Sequence, residues 1–424
     1  MKRILYIAQQ AYPITSSECI CNTKVAHALA EAGYKVDVFS YTSDSMYTAD
    51  NKINRILSSS KNLNIHYVKA SSNDYFLSRS HSLWKNIKNA FVLFYFGCKM
   101  GYLYNGIAIN YDIYRSIKSH LKSFKEFPYD VVMTRSYHSE IIGIYLKKKY
   151  GVKWVANWND PYPVCRFPKP YGKGPDAKLD IGYGRVYDKV KKMVDFHTFP
   201  SERLKEYMIN SFKTVSSNNT MVIPHMAYSR LLPSNRVNRD KCLRIVSCGT
   251  VRHPRNPSLF IKALKKVVDD MCLSANDLKC YFIGKYDKFL DKLVKDNSLE
   301  EYVTLVGPMQ YADCLDFISK CDISLIIEAQ CEEGIYLPTK FADAVQCGVP
   351  VFCVSPKVGT LHDLVEKYKN GYYSDNESLE SIEKSLKQAV LDYRNDNLPI
   401  RSKSDMEDFY EEKIVEKINS ILLK

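Results

Sequence analysis

The second half of the chain repeats one pattern: a short apolar run, then a stretch with helical periodicity, then another apolar run. Five such runs occur, at residues 243–248, 280–283, 303–306, 323–327 and 349–354. Apolar runs of this kind, separated by helices, are typical of strands that are buried on both faces of a parallel sheet. The pattern therefore predicts a doubly wound α/β domain.

The first residues of the chain predict a second unit of the same type. Two strand-like runs, Arg3–Ala8 (RILYIA) and Val36–Tyr41 (VDVFSY), flank a stretch in which apolar residues recur at helical spacing. This is a βαβ unit, and its first loop, residues 9–21, is expected at the carboxyl edge of the sheet, where ligands bind in such folds. Further strand-like runs follow at 129–134, 154–157 and 196–200.

The length of 424 residues suits two α/β domains of about 200 residues each. Pro224 and the polar stretch that follows it are the best candidate for the connection between them. We therefore predict an amino-terminal Rossmann-like domain at 1–235 and a carboxyl-terminal one at 236–400. A final helix at 401–424 is expected to pack back toward the first domain.

Composition narrows the class of protein. Hydrophobic residues make up 46% and charged residues 25% of the chain, as in a globular protein, and no long apolar leader follows Met1. The 13 cysteines form no Cys-x-x-Cys pair, which favours reduced thiols and a cytoplasmic location. The net charge of +13 is compatible with nucleic acid, an anionic membrane or phosphorylated ligands. No nucleic-acid-binding module is recognisable, so no nucleic-acid partner is expected.

The segment 84–104 leaves two interpretations open. Its apolar run, FVLFYFGCKMGYLY, is interrupted by Lys99 and two glycines, and is too short and broken to predict a membrane-spanning helix. With Trp84, Lys85 and Lys88 it could form a helix lying in the interface of a membrane. The alternative is a helical hairpin that packs on the first domain.

Two polar segments of the second half could bind a phosphorylated ligand. In the first, GTVRHPRNP, Gly249 follows a strand and Asn256–Pro257 is expected to open a helix, whose N-terminus would suit a diphosphate. In the second, EEGIYLPTKFAD, Lys340 and Asp343 are expected on one helix face, where they could bind a phosphate and ribose hydroxyls. A solvated basic loop and a surface ion pair are the alternative interpretations.

Longer segments carry a resemblance to a known family. SCGTVRHPRNPSLFIKAL, LVGPMQYADCLDFISKCDISLII and GIYLPTKFADAVQCGVPVFCVS, in this order, resemble the carboxyl-terminal half of family-four-type retaining glycosyltransferases. The resemblance covers residues 240–375. The opening βαβ unit, YDVVMTRSYHSE and WVANWNDPYP are similar to the acceptor-side domain of that family. The resemblance implies the GT-B fold, in which two Rossmann-like domains face each other across a cleft.

The resemblance also implies roles for residues of the second domain. Arg255, or Arg252, would hold the donor phosphates together with Lys340, in a site that also includes Gly249 and Thr250. Asp343 stands at the second glutamate of the family's Glu-x7-Glu pattern, which binds the donor ribose. The first glutamate of that pattern falls on Ile335, which leaves Glu333 or Glu332 as the catalytic candidate nearby.

In the first domain, Ser16 and Ser17 stand where the family often has Gly-Gly, so they are expected near the donor phosphates. His138 follows the strand-like run YDVVMT, where the family often has a histidine near the transferred sugar. Asp160 in NWNDPYP matches an Asp-Pro of the acceptor side of the cleft. Structural roles remain the alternatives for the histidine and the aspartate, since Asp-Pro is also a common turn.

The expected function is the transfer of a sugar, with retention, from a nucleotide-sugar to a glycan or lipid-linked glycan acceptor in cell-surface polysaccharide assembly. No cofactor or metal is expected, because two basic side chains could stabilise the diphosphate and no Asp-x-Asp motif is present. Peripheral attachment to an anionic inner membrane face would fit the basic charge. Two alternatives stay open: a GT-B-type sugar-nucleotide 2-epimerase and a non-catalytic nucleotide-sugar-binding relative. The lack of Gly-x-Gly-x-x-Gly after either first strand disfavours a dehydrogenase.

Overall fold

The computed structural model describes residues 2–14, 16–42, 50–69, 83–102, 110–135, 139–179, 181–212, 215–233 and 241–423. Within these ranges the chain forms one seven-stranded and one six-stranded sheet, both entirely parallel. Two Rossmann-like domains are therefore present, as the sequence predicts.

The first sheet has the strand order 3-2-1-4-5-6-7. Its strands are β1 (Arg3–Ala8), β2 (Lys35–Thr42), β3 (Leu63–Lys69), β4 (Val131–Arg135), β5 (Lys153–Asn157), β6 (Phe196–Phe199) and β7 (Thr220–Val222). The helices between them are α1 (Ser17–Glu31), α2 (Asn51–Leu57), α3 (Leu83–Met100), α4 (Tyr111–Leu121), α5 (Glu140–Tyr150), α6 (Ile181–Met193) and α7 (Glu202–Phe212). The predicted strands are all present, whereas the edge strands β3 (LNIHYVK) and β7 (TMV) were not predicted, because neither contains an apolar run of four or more residues.

The second sheet has the order 3-2-1-4-5-6 when its strands are counted from its own first strand. Its strands are β8 (Leu243–Cys248), β9 (Leu278–Ile283), β10 (Val303–Gly307), β11 (Ile323–Ile327), β12 (Val351–Ser355) and β13 (Gly371–Asp375). Its helices are α8 (Ser258–Asp270), α9 (Lys288–Asp296), α10 (Tyr311–Ser319), α11 (Thr339–Cys347), α12 (Thr360–Tyr368) and α13 (Leu379–Arg394). The edge strand β13, GYYSD, adds to the five strands expected, and its tyrosine and polar residues form no apolar run.

Short 3-10 turns lie at Val164–Arg166, Ser217–Asn219, Ser229–Leu231 and Glu407–Phe409. The connection between the sheets runs from β7 to β8, and the predicted boundary near residue 235 falls in the range 234–240, outside the described residues. The boundary itself stays a prediction.

The last helix, α14 (Glu411–Leu423), lies against the first domain. Its buried residues Ile414 and Ile418 belong to the same apolar cluster as Ile4 and Leu29 of the first domain. At its end, Lys2 donates to the carbonyl oxygen of Leu422 over 2.6 Å. The chain thus returns to the domain in which it began.

Helix α3 has two different halves. Its end is buried, with Phe96 inaccessible to solvent and Met100 nearly so, and both belong to the core of the first domain. Its beginning exposes large apolar side chains, among them Trp84 (80% exposed) and Phe91 (71%). Among the described residues, no helix combines the length and the hydropathy needed to cross a membrane.

Candidate active site

A cleft of about 700 Å³ separates the two domains and is lined by both. It lies at the carboxyl ends of the strands, beside the points where each strand order reverses, which is where open α/β sheets bind ligands. The first domain contributes the start of α1 and the residues after β5, and the second contributes the loops after β8, β10 and β11 together with the start of α11.

The loop after β8 forms one wall of this cleft. Gly249 has φ +107°, and a Cβ atom built on it would lie 3.0 Å from Cε of Lys340, so the position suits glycine for both reasons. Gly249 and Thr250 line the cleft together with Arg255. Helix α8 begins at Ser258, and Asn256 Oδ1 accepts a hydrogen bond of 2.9 Å from the Ser258 amide. The helix therefore starts one residue later than expected, with Pro257 as its N-cap.

Two cationic side chains meet at this wall. Arg255 Nε lies 3.1 Å from Glu328 Oε1, and Glu328 is a buried residue directly after β11. Lys340, in the first turn of α11, is found without a hydrogen-bond or ion-pair partner among the residues that the structure describes. Burial, and next the charge of Arg255, lower the pKa of Lys340 to about 8. An anion bound in the cleft would offset the free energy lost on burying the charged ammonium group, because it would pair with that group.

Arg252, the other arginine of the loop, lies elsewhere. It lines a separate depression beside Tyr286 and Asp287 and does not line the cleft. A hydrogen bond of 2.9 Å from the Arg255 amide to the Arg252 carbonyl closes a turn between the two residues. Of the two arginines, the structure brings Arg255 to Lys340.

Asp343 lines the cleft one turn after Lys340, but its carboxylate is already engaged. Tyr311 donates a short hydrogen bond to Oδ1 of Asp343, and Lys24 Nζ lies 3.8 Å from the same oxygen. Lys24 comes from α1 in the first domain and is almost completely buried. Burial raises the pKa of Asp343, while Lys24 and Tyr311 act in the opposite direction.

Ser16 and Ser17 lie at the start of α1, on the opposite wall. Ser16 is the N-cap, and its Oγ accepts a hydrogen bond of 3.3 Å from the amide of Cys19. Its φ of −151° is an ordinary extended value, so the serine needs none of the freedom that glycine would provide here. Both serines face the cleft at a helix N-terminus, which carries partial positive charge.

Asp160 also lines the cleft, after β5. Burial, reinforced by the negative charge of Glu18 and opposed by Arg255, raises the pKa of Asp160 to about 7. Glu18 itself accepts hydrogen bonds from Asn159 and Asn22. The cleft therefore has a basic side, at Arg255 and Lys340, and an acidic side, at Glu18 and Asp160.

The chain is similar to known proteins in part of its sequence and in its whole fold. Residues 233–404 match the model of the family "Glycosyl transferases group 1". Residues 233–404 therefore form a group 1 glycosyltransferase domain. No curated protein sequence matches the chain.

Solved structures of GT-B glycosyltransferases share the fold of the whole chain. HepE of Anabaena, solved with UDP and glucose, has a TM-score of 0.65 at 12% identity, covering 100% of this chain and 99% of its own. Sucrose-phosphate synthase of Thermosynechococcus elongatus has a TM-score of 0.68 at 15% identity, covering 99% and 98%. The lipopolysaccharide outer core galactosyltransferase WaaB has a TM-score of 0.59 at 13% identity, covering 99% of each chain. At these identities the likeness is one of fold, and the fold is GT-B.

The two remaining catalytic candidates have different outcomes. His138 lies outside the described residues. Glu333 is not among the residues that line the cleft, and it accepts a hydrogen bond of 2.8 Å from Arg203 of the first domain. Arg203 also donates to Asp363 over 2.9 Å, so this cluster ties the rims of the two domains together.

Several residues of the cleft were not predicted from the sequence. Glu18, Lys24 and Glu328 carry no motif, and their roles depend on partners far away in the chain. His225 also lines the cleft, and burial, with Arg135 and Lys24 adding to it, lowers the pKa of His225 to about 3. This histidine is therefore neutral at physiological pH.

One group of possible metal ligands occurs among the described residues, away from the cleft. Asp37, His66 and His120 place their ligand atoms within 4.8 Å of one another. Arg3 donates to Asp37 Oδ2 over 3.2 Å. Burial would raise the pKa of Asp37, but hydrogen bonds from His66, Asn64 and Arg3 outweigh it and lower the pKa to about 2. An arginine on the same carboxylate already supplies the positive charge that a cation would bring.

Proposed function

We propose that this protein is a retaining glycosyltransferase that moves a sugar from a nucleotide-sugar to a glycan acceptor. The observation that carries the proposal is the desolvated Lys340 ammonium beside Arg255 in a cleft between two Rossmann-like domains. A nucleoside diphosphate matches this pair, because its two phosphates can accept hydrogen bonds from both cations at once.

The same pair explains how the leaving group would be stabilised. Negative charge develops on the diphosphate as its bond to the sugar breaks, and Arg255 and Lys340 are held in place before this happens. Glu328 orients the guanidinium group of Arg255 through their contact of 3.1 Å. We infer that no metal ion or cofactor is needed for this step.

The acceptor would approach from the first domain, where Asp160 lines the cleft. In a retaining transfer the acceptor hydroxyl attacks from the face that the diphosphate leaves, so acceptor and leaving group lie on one side of the sugar. A carboxyl group with a pKa near 7 is well matched to exchanging a proton with that hydroxyl at neutral pH.

A membrane-associated glycan acceptor is supported by the first half of α3. Leu83, Trp84, Phe91, Phe94 and Tyr95 are each at least 59% exposed on this helix. Together with the net charge of +13, these side chains suit an anionic membrane surface, which takes up aromatic rings at the level of its headgroups. WaaB, which shares the fold, is a lipopolysaccharide galactosyltransferase, and we place this protein in cell-surface polysaccharide assembly on the cytoplasmic face.

A thermal-shift panel of UDP, GDP, ADP, CMP and their sugars tests the donor site. We expect one nucleoside diphosphate to raise the melting temperature, because a ligand that binds only the folded state stabilises it. UDP is the first candidate, since HepE binds it. Arg255→Ala and Lys340→Ala should each weaken binding by about 10- to 100-fold, the usual worth of a charge-assisted hydrogen bond.

Arg252→Ala is the matched control, because it removes an arginine from the same loop but outside the cleft. It should bind the nucleotide as the wild type does. No response of the wild-type protein to any nucleotide would refute the donor site. Conversion of the bound nucleotide-sugar into its epimer would instead favour a 2-epimerase, and binding without turnover would favour a non-catalytic relative.

A further inference from the structure

The first turn of α1 places a carboxylate beside the acceptor side of the cleft. Glu18 accepts two hydrogen bonds from Asn159 Nδ2, 3.0 Å to Oε1 and 2.9 Å to Oε2, and one of 3.1 Å from Asn22 Nδ2. Three hydrogen bonds from two side-chain amides therefore satisfy the Glu18 carboxylate. These hydrogen bonds fix the position of the Glu18 carboxylate next to Asn159.

The residue that Glu18 holds is the immediate neighbour of Asp160. Glu18, Asn159 and Asp160 all line the cleft, so the two carboxyl groups face the same space. Among the described residues, no hydrogen-bond or ion-pair partner is found for the Asp160 side chain. One carboxyl group is therefore satisfied by the protein, and the other is open to a ligand.

We propose that Glu18 is a positioning residue that fixes the Asn159–Asp160 turn and, through its charge, keeps Asp160 ready to exchange a proton with the acceptor hydroxyl. This inference rests on the proposed function and adds a residue to it. A negative charge nearby disfavours ionisation of a carboxyl group, so the charge of Glu18 raises the pKa of Asp160.

The charged and titratable groups around Asp160 come from several elements. Glu18 on α1 raises the pKa of Asp160, and Arg255 on the loop after β8 lowers it. Tyr336, on the loop before α11, lines the same cleft, and its phenol stays neutral because burial, with Asp160 and other groups adding to it, raises its pKa. Glu328 pairs with Arg255, so it partly cancels the charge of the arginine.

The proton balance of the step is simple. The acceptor oxygen forms a bond to the anomeric carbon, the bond from that carbon to the diphosphate oxygen breaks, and the bonding electrons leave with the diphosphate. The hydroxyl proton passes to the ionised Asp160 carboxylate and is later released to water. The rate should therefore rise with pH as Asp160 ionises, and level off above its pKa.

The first measurement is an infrared pH titration of the full chain, which needs neither donor nor acceptor. The carboxylic acid carbonyl band that disappears in Asp160→Asn reports Asp160 in the wild type. We expect this band to titrate near pH 7. In Glu18→Gln its midpoint should fall by about one pH unit or more, as expected when a nearby like charge is removed.

Asp176→Asn is the control, because it removes an exposed carboxylate of the first domain outside the cleft and should leave the midpoint unchanged. The second measurement is the pH profile of hydrolysis of the nucleotide-sugar that the thermal-shift panel selects. Its ascending limb should move to lower pH in Glu18→Gln.

An Asp160 midpoint that stays in place in Glu18→Gln would overturn the inference, even if sugar transfer is found. A shifted midpoint in a protein that binds no nucleotide would support the coupling of the two carboxyl groups while refuting the donor site. A Glu18→Gln variant with a shifted band but an unmoved rate profile would remove Asp160 from the proton transfer. Each outcome therefore separates the two proposals.

Discussion

Replacing Lys24 with methionine tests the buried contact between the two domains. The Lys24 ammonium donates to the Met226 carbonyl over 2.9 Å, to Gln346 Oε1 over 2.9 Å and to the Tyr311 hydroxyl over 3.0 Å. It is also the nearest cation to Asp343. Methionine is unbranched and one atom shorter than lysine, and it removes all three hydrogen bonds of the Lys24 ammonium.

The expected loss follows from burial. Breaking a buried charge pair by removing one partner costs about 3–5 kcal/mol, because the remaining charge is left without compensation. Protonation of Asp343, whose pKa burial already raises, limits this cost, so we expect the lower end, about 3 kcal/mol. For domains of this size each kcal/mol lowers the melting temperature by about 2–4 °C. Lys24→Met should therefore lower it by about 6–12 °C.

The assay is thermal unfolding followed by circular dichroism at pH 7, with Lys265→Met as the matched control. Lys265 pairs with Asp269 on the surface of α8, where both side chains are more than a third exposed. An exposed pair contributes about 0–1 kcal/mol, so the control should change the melting temperature by no more than about 4 °C. Equal shifts in the two variants would refute the reasoning, because burial would then make no difference.

Three further predictions concern packing, the membrane and pH. Gly143→Ala should lower the melting temperature strongly, because the new Cβ would lie 2.3 Å from Trp154 Cε2 in the core. Thermal unfolding measures this effect, and an unchanged melting temperature would contradict the packing. The double variant Trp84→Ser/Phe91→Ser should no longer sediment with anionic vesicles at low salt, but it should keep the thermal shift with nucleotide. A wild-type protein that does not sediment with the vesicles would refute the membrane proposal. Burial lowers the pKa of His197 to about 3, so its contribution to stability is complete above its ordinary pKa of about 6.5 and is lost as pH falls below that value. His197→Phe should therefore flatten the fall of melting temperature between pH 7 and 5, and an equally steep fall would exclude His197 as a cause.

The strands of the second sheet that the sequence predicted are those with short apolar runs. Parallel strands covered by helices on both faces must be apolar throughout, so β8 and β11 could be found without any knowledge of their partners. The edge strands β3 and β13 each pair with only one neighbouring strand and tolerate polar residues. Their sequences therefore indicate a strand less clearly. The α/β class of the chain could thus be predicted, but not the complete sheets.

The basic residues of the cleft were predicted only in part. Arg252 and Arg255 are three residues apart and have the same chemistry, and only the turn between them decides which one faces Lys340. Glu333 was placed near the catalytic centre by its neighbours in sequence, whereas in the structure it pairs with Arg203. A resemblance of motifs indicates which loops form the site, but the direction of each side chain depends on local backbone geometry.

What the sequence alone determined is local: the periodicity that separates strands from helices, and the order of motifs that indicates two α/β domains. What only the tertiary structure decided is which distant groups share one environment. Lys24 and Gln346 are 322 residues apart, and Glu18 and Asn159 are 141 apart, yet each pair is in hydrogen-bond contact. Charge and protonation in the cleft depend on burial and on such neighbours, and both arise only when the two domains pack together.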